Sequence, residues 1–156
     1  MTVHIGPLAP GHAGEALTIQ RAAYVTEAQH YNAPHIPPLM ETVAELRADL
    51  ESGVLALGAW LDTRLVGCVR GRVAGDRMEV ARFVVAPDTQ GRGIGTLLLK
   101  AVEAAAPPTV RTLWLVTGAA SEGNLRLYRR SGYVVVGNRA DSAGVPLSLL
   151  EKRVSD

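Results

Sequence analysis

The sequence predicts an α/β protein of one domain, residues 1–156, in which a single mixed, largely antiparallel β-sheet of about six to seven strands is flanked by about four helices. Three observations predict it. Three β-like runs, "VLALGAWL", "RLVGCVRGRV" and "RMEVARFVVA", follow one another across the short gaps "DT" and "AGD", whose lengths suit antiparallel hairpins. Beyond them strands and helices alternate. With 156 residues and 47% apolar content, the chain can bury one sizeable core but not two.

The elements follow in order. "VHI" at residues 3–5 reads as a short strand, and a helical stretch runs from about His12 to Tyr31. "NAPHIPPL" reads as a loop, because Pro34, Pro37 and Pro38 fix backbone angles, remove donors and push their predecessors toward extended conformations. Thr42 to Glu45 has the spacing of a capping box, so a short helix starts there with Val43, Leu46 and Leu50 on one face and Gly53 as its stop. After the three-strand meander and the turn "APDTQGRGIG", Ile94, Leu97, Leu98, Ala101, Val102 and Ala105 recur at helical spacing, with Lys100 and Glu103 facing away. Pro107 and Pro108 close that helix. "VRTLWLVT" supplies a further strand, "SEGNLRLYRRSG" a helix capped by Ser121 and stopped by Gly132, and "YVVVG" and "LSLLEKRV" finish the sheet.

Composition excludes several classes of function. A net charge of +1 and only seven aromatic residues leave no broad electrostatic or stacking surface for nucleic acid. Cys68 is the lone cysteine, so neither a disulfide framework nor a structural zinc site is expected, and His30 and His35 have no metal-ligand spacing. The start "MTVHIGPLAPG" lacks the pattern of a signal peptide and no apolar run approaches about 20 residues, so a cytoplasmic protein without a membrane partner is expected. Of the 16 basic residues only Lys100 and Lys152 are lysine; the arginines are scattered and are read as a coding bias without functional weight.

The glycine-rich turn carries the chemistry. A turn of bare backbone between a strand and a helix suits phosphate, because the first N–H groups of a helix have no internal partner and the helix dipole favours an anion there. A P-loop would need Lys followed by Ser or Thr after its last glycine, and Gly95 is followed directly by Thr96. A dinucleotide fingerprint anchored at Gly91 and Gly93 would need a third glycine at position 96 and an acidic residue ending a second strand roughly 20 residues on. Neither is present. The acetyl-CoA turn written R/Q-x-x-G-x-G/A is matched in register by "QGRGIG" through Gln90, Gly93 and Gly95.

With that turn and the late "LYRRSGY", the chain resembles the GNAT N-acetyltransferase superfamily over nearly its whole length. The resemblance implies a GNAT-like single domain that takes acetyl-CoA as cosubstrate, with no metal. It implies that the pyrophosphate rests on backbone amides of Gln90, Gly91, Arg92, Gly93, Ile94 and Gly95, reaching Thr96 in the first helical turn. The pantetheine arm would then hydrogen-bond the backbone of Phe83 and Val85, and the Phe83 N–H would face the oxyanion. Tyr128 matches the family's "LY" tyrosine, placed to return a proton to the departing thiolate; packing on the sheet with its hydroxyl at the rim is the alternative. Asn124 lies one turn earlier on the same helix face and would contact the cofactor, or else belong to the helix start together with Ser121. Glu79 sits where some members place a catalytic glutamate. Four residues of strand, about 13 Å, separate it from Phe83, so a bulge or a water relay would be needed. A salt bridge to Arg77 or Arg82 is the competing reading.

The reaction implied is acetyl transfer to a primary amine by direct attack on the thioester. The resemblance implies that residues from about Tyr24 to Met40 wall the amine site, with Tyr31, His35 and Met40 as candidate contacts or else incidental side chains of a proline-rich surface loop, and that the acceptor is a small molecule or a protein amino group. A homodimer is compatible with a domain of this size. The alternative is a non-catalytic acyl-CoA-binding regulatory module, which would look the same at the turn.

Overall fold

The computed structural model describes residues 2–154 and has one seven-stranded sheet, ordered β1-β2-β3-β4-β5-β7-β6. The strands are β1 (Val3–Pro7), β2 (Leu55–Leu61), β3 (Arg64–Ala74), β4 (Arg77–Val85), β5 (Thr112–Gly118), β6 (Val134–Ala140) and β7 (Pro146–Arg153). All neighbours are antiparallel except β4 and β5, which run parallel because the chain between them crosses over through a helix. The helices are α1 (Ala13–His30), α2 (Pro37–Met40), α3 (Val43–Glu51), α4 (Ile94–Ala104) and α5 (Glu122–Arg130). Helix α1 packs on one face of the sheet with α2 and α3 beside it, and α4 packs on the other. Mixed α/β class, meander and terminal strand pair are as the sequence predicts.

Local chemistry explains the elements. The Glu45 amide donates to Thr42 Oγ1 at 3.1 Å and the Thr42 amide to Glu45 Oε1 at 2.9 Å, the reciprocal pair that starts α3. The expected loop before it is interrupted by α2, because Pro37 and Pro38 fall in its first turn, where a missing N–H costs nothing and the fixed φ is already helical. Ser121 stands at the N-cap position of α5 but does not cap it; its hydroxyl turns to Glu27 Oε1 at 3.5 Å. In α4 the buried stripe is Ile94, Leu98, Leu99 and Val102, while Leu97 is 48% exposed, so the stripe is rotated by about one residue from the expected one. Glu103 does not face water either. It accepts from the Tyr133 hydroxyl at 2.8 Å and from Lys152 Nζ at 3.0 Å, tying α4 to β7.

The scattered arginines converge. Arg70, 3% exposed, donates through Nη1 to Glu41 Oε2 and Asp49 Oδ2, both at 2.9 Å, and through Nη2 to Glu41 Oε1 at 2.7 Å and Gln20 Oε1 at 3.0 Å. Arg72 adds a two-pronged contact to Asp49. These side chains lock α1, α2 and α3 onto β3, a structural role that reading the arginines as scattered does not foresee, because sequence spacing does not reveal which charges meet under a helix.

Candidate active site

The sheet opens at one place. Strand β4 pairs with β5 only through Arg77, Met78 and Glu79, so from Val80 onward its β5-facing edge is free and the two strands part into a fork. On the other side β4 stays paired to β3, but two residues, Arg82 and Phe83, stand against Val69 alone, and Arg82 has φ 50°. That is a β-bulge, with a non-glycine residue in the left-handed region. The bulge re-aims the strand beside the fork. The Ala86 N–H donates to Val66 O at 2.7 Å, toward β3; strand alternation then turns the backbone groups of Val85 and Phe83 toward the fork.

The glycine turn closes the fork's base. Gly91 and Gly93 both have φ 80°, and a Cβ on either would meet nothing within 4 Å, so glycine is required here by backbone conformation and the turn's outer side stays open. A one-turn 3-10 helix, Pro87–Thr89, leads in, held by Thr89 Oγ1 on Ala86 O at 3.0 Å and by the Arg64–Asp88 pair. Gln90 Nε2 donates to Val85 O at 3.3 Å, fastening the turn to the strand end. Among the described residues the first amide after Gln90 to reach a backbone acceptor is that of Leu97, on Gly93 O at 3.2 Å. The N–H groups from Gly91 to Thr96 are therefore available to an anion at the N-terminus of α4, and their chemistry fits a pyrophosphate.

Tyr128 of α5 is buried at the fork, its ring 6.0 Å from Phe83 and 6.0 Å, edge-on, from Tyr133. Among the described residues its hydroxyl has no hydrogen-bond partner, yet it is not sealed in, since Arg82 Nε alone is both buried and unpartnered there. Burial, with Tyr24 and Glu27 adding to it, pushes its pKa far above the ordinary tyrosine value, so it remains protonated over the whole working range of pH. Asn124 reaches Thr117 Oγ1 at 3.5 Å and so lies against the β5 wall of the fork.

Glu79 is on the face that carries α1, because it pairs in register with Arg72. It stands in the last paired rung before the fork, opposite Trp114. Neither expected salt bridge forms among the described residues: Arg77 pairs with Glu151 at 2.7 Å and Arg82 leans on Glu41 at 3.5 Å.

Sequence reasoning missed Glu27. It projects from α1 to the end of β5, where a Cβ on Gly118 would lie 2.5 Å from Glu27 Oε1, 2.6 Å from Ser121 Oγ and 2.9 Å from the Tyr31 hydroxyl. Burial raises its pKa against the opposing hydrogen bonds from the Gly118 amide and Ser121. A glutamate three residues after Tyr24 and four before Tyr31 on one helix stripe was the available signal. Tyr24, whose hydroxyl burial pushes up to about 12, lies within reach of both Arg82 and Glu27. Tyr31 accepts the Ala120 amide at 2.7 Å and helps line a cavity of about 370 Å³ with Asn32, His35, Gly144, Val145 and Pro146, between the α1–α2 and β6–β7 connections. Met40 is 56% exposed and does not line it.

The sequence profile of the acetyltransferase (GNAT) family matches residues 20–133, and the chain belongs to that family. No curated protein matches it in sequence. In structure it is similar to a GNAT-family acetyltransferase of Streptococcus pneumoniae, at 18% identity and TM-score 0.78 over 99% of this chain and 100% of that one. It is similar also to the ribosomal-protein-S18-alanine N-acetyltransferase of Escherichia coli, at 18% identity and TM-score 0.79 over 99% and 96%. A third is the PaiA N-acetyltransferase of Thermoplasma acidophilum in complex with coenzyme A, at 18%, TM-score 0.79, over 99% and 100%. These likenesses concern the fold. No helix among the described residues is long and apolar enough to cross a membrane, and none of their His, Cys, Asp and Glu side chains form a metal-holding group.

Proposed function

We propose that the protein transfers an acetyl group from acetyl-CoA to a primary amine. The observation that carries this reading is the conjunction of a free β4 edge at Phe83 and Val85 with unpaired amides from Gly91 to Thr96 at the base of the same fork. Acetyl-CoA would lay its pyrophosphate on those amides, with Gln90 and Arg92 beside them, and its pantetheine along β4. That the similar Thermoplasma N-acetyltransferase is in complex with coenzyme A supports coenzyme A chemistry for this fold.

The amine nitrogen attacks the thioester carbonyl, forming the C–N bond; the Phe83 N–H stabilises the oxyanion, and the C–S bond breaks with electrons leaving on sulfur. Tyr128 gives its hydroxyl hydrogen bond and proton to that sulfur, and Asn124 steadies the cofactor from the β5 wall. A free alkylamine has a pKa of about 10, so its proton must go to a base. Glu79 serves through a water, being one rung away from the opening. Glu27 is a second carboxylate for the same task, favoured by its burial at the end of β5.

The test is a free-thiol assay with purified protein, acetyl-CoA and a panel of small amines, amino acids, polyamines and peptides. Release of coenzyme A coupled to an acetylated amine is expected. Tight acetyl-CoA binding without turnover on any amine would replace this reading with a non-catalytic acyl-CoA-binding module.

A further inference from the structure

The Arg82 guanidinium, in the bulge beside the fork, makes no hydrogen bond among the described residues. Its Nε is buried and unpartnered, its closest carboxylate oxygen is Glu41 Oε1 at 3.5 Å, and its side chain is 27% exposed. Glu41 pairs with it without a hydrogen bond. Both Glu41 oxygens already accept from Arg70, and Oε1 accepts from Gln20 Nε2 at 2.9 Å as well. Three arginines, Arg70, Arg72 and Arg82, share two carboxylates, Glu41 and Asp49, and Arg82 holds the excess positive charge. Five donors in a fork geometry suit a carboxylate or phosphate oxyanion, and a partly buried guanidinium held only by a long ion pair gains hydrogen bonds when one arrives.

Its place says what that anion belongs to. Arg82 precedes Phe83 within the same bulge, and φ 50° is a strained conformation for a residue with a side chain, of order 1–3 kcal/mol, kept where surrounding structure over-determines it. The two residues part to opposite faces. Phe83 packs toward Gly95 of α4, 3.5 Å from that residue's Cβ position, whereas Arg82 turns to Glu41 and Tyr24 under α1. The cofactor turn is on the Phe83 side, which leaves the Arg82 side to the acceptor.

We infer that the acceptor is a small amine that also carries an anionic group, an amino acid or aminophosphonate, with Arg82 binding the anion while the amine is presented at the Phe83 amide. The inference rests on the acetyltransferase reading. Arg82 is thus a specificity-determining residue.

The experiment compares kcat/KM for glycine, β-alanine, γ-aminobutyrate and 2-aminoethylphosphonate with kcat/KM for the amides of the three carboxylates and for ethylamine. The expected result is a preference of tenfold or more for an anionic amine over its neutral counterpart, collapsing toward unity in Arg82→Met and falling part-way in Arg82→Lys. The carboxylate and phosphonate arms show which oxyanion is taken. Acetyl-CoA affinity, measured by titration in each variant, reports that the fork is intact. Turnover without discrimination in the wild type overturns this inference and leaves the acetyltransferase reading standing, as does a preference that survives Arg82→Met. Absence of turnover on every amine removes both.

Discussion

The ring of Tyr128 on α5 lies 6.0 Å from that of Phe83 on β4, so the proposed proton donor and the strand residue at the fork are held together by direct packing. Their separation does not depend on any loop. Tyr128→Phe keeps the stacked ring and removes only the hydroxyl, which has no partner among the described residues to leave unsatisfied. The expected outcome is a fall in kcat of roughly 10²-fold with acetyl-CoA affinity unchanged, read by steady-state kinetics and calorimetric titration. Equal kcat in the two proteins would remove Tyr128 from the chemistry.

Gly93 and Gly95 separate conformational demand from space. Gly93 has φ 80°, so Gly93→Ala forces a side chain into the left-handed region at about 1–2 kcal/mol and displaces amides of the turn. Its Kd for acetyl-CoA should rise about tenfold or more, equivalent to about 1.4 kcal/mol. At Gly95 a Cβ would meet Leu127 and Phe83 at 3.5 Å, an ordinary contact, so Gly95→Ala should bind within about twofold of wild type. Circular dichroism melts alongside the titrations report folding.

Glu27 and Glu79 are distinguished by pH. The carboxyl of Glu27 is raised by burial, so a base at this position places the acid limb of kcat/KM above the usual glutamate range, and Glu27→Gln abolishes that limb. Glu79→Gln abolishing it instead assigns the base to Glu79. Stability gives a second readout. A raised folded-state pKa means that the neutral form is favoured on folding. Its contribution is full below the unfolded value of about 4.3 and is lost as pH rises through the folded value. The melting temperature of Glu27→Gln should therefore gain on that of wild type as pH rises from about 4 through the raised folded-state value. A constant difference would place the Glu27 carboxyl in ordinary solvent.

Arg70→Met should destabilise strongly, by about 3–5 kcal/mol, because it leaves Glu41 and Asp49 partly buried without their main counter-charge. Urea titration measures it. The linkage has a definite sign. Burial opposes ionisation of Glu41, but hydrogen bonds from Arg70 and Gln20 and the nearby arginine charges win and hold its pKa below the ordinary value. Asp49 is lowered likewise, against burial, by Arg72 and Arg70. Stability from both carboxylates is present above their unfolded values of about 4 and is lost as pH falls through the folded ones. The gap between wild type and Arg70→Met should narrow at acid pH, and an unchanged gap would mean that the cluster is not ionised as drawn.

Much of the site was legible because its signals are local. The capping box of Thr42 and Glu45, the meander and the glycine register at Gln90, Gly93 and Gly95 each depend on residues a few positions apart. Glu79 was legible only as a position: the bulge at Arg82 and Phe83 lies downstream of it and does not shorten its path to the fork. Glu27 was not legible, since what makes it notable is Gly118, 91 residues away along the chain and adjacent in space. Ser121 illustrates the same limit. Its type and position announce a cap, yet a carboxylate from α1 draws the hydroxyl away.

By itself the sequence determined the order of the strands and of the longer helices, the turn that can hold a phosphate and the family to which they belong, because propensity, hydrophobic period and glycine conformation act over a few residues. Only the tertiary structure decided that β4 leaves β5 after Glu79 and which charges surround the opening. Pairing of strands and burial of ion clusters are set by groups brought together from α1, α2, α3, β3 and β4. Which of the many arginines ends with a carboxylate, and which is left over as Arg82, depends on competition for Glu41 and Asp49 in three dimensions.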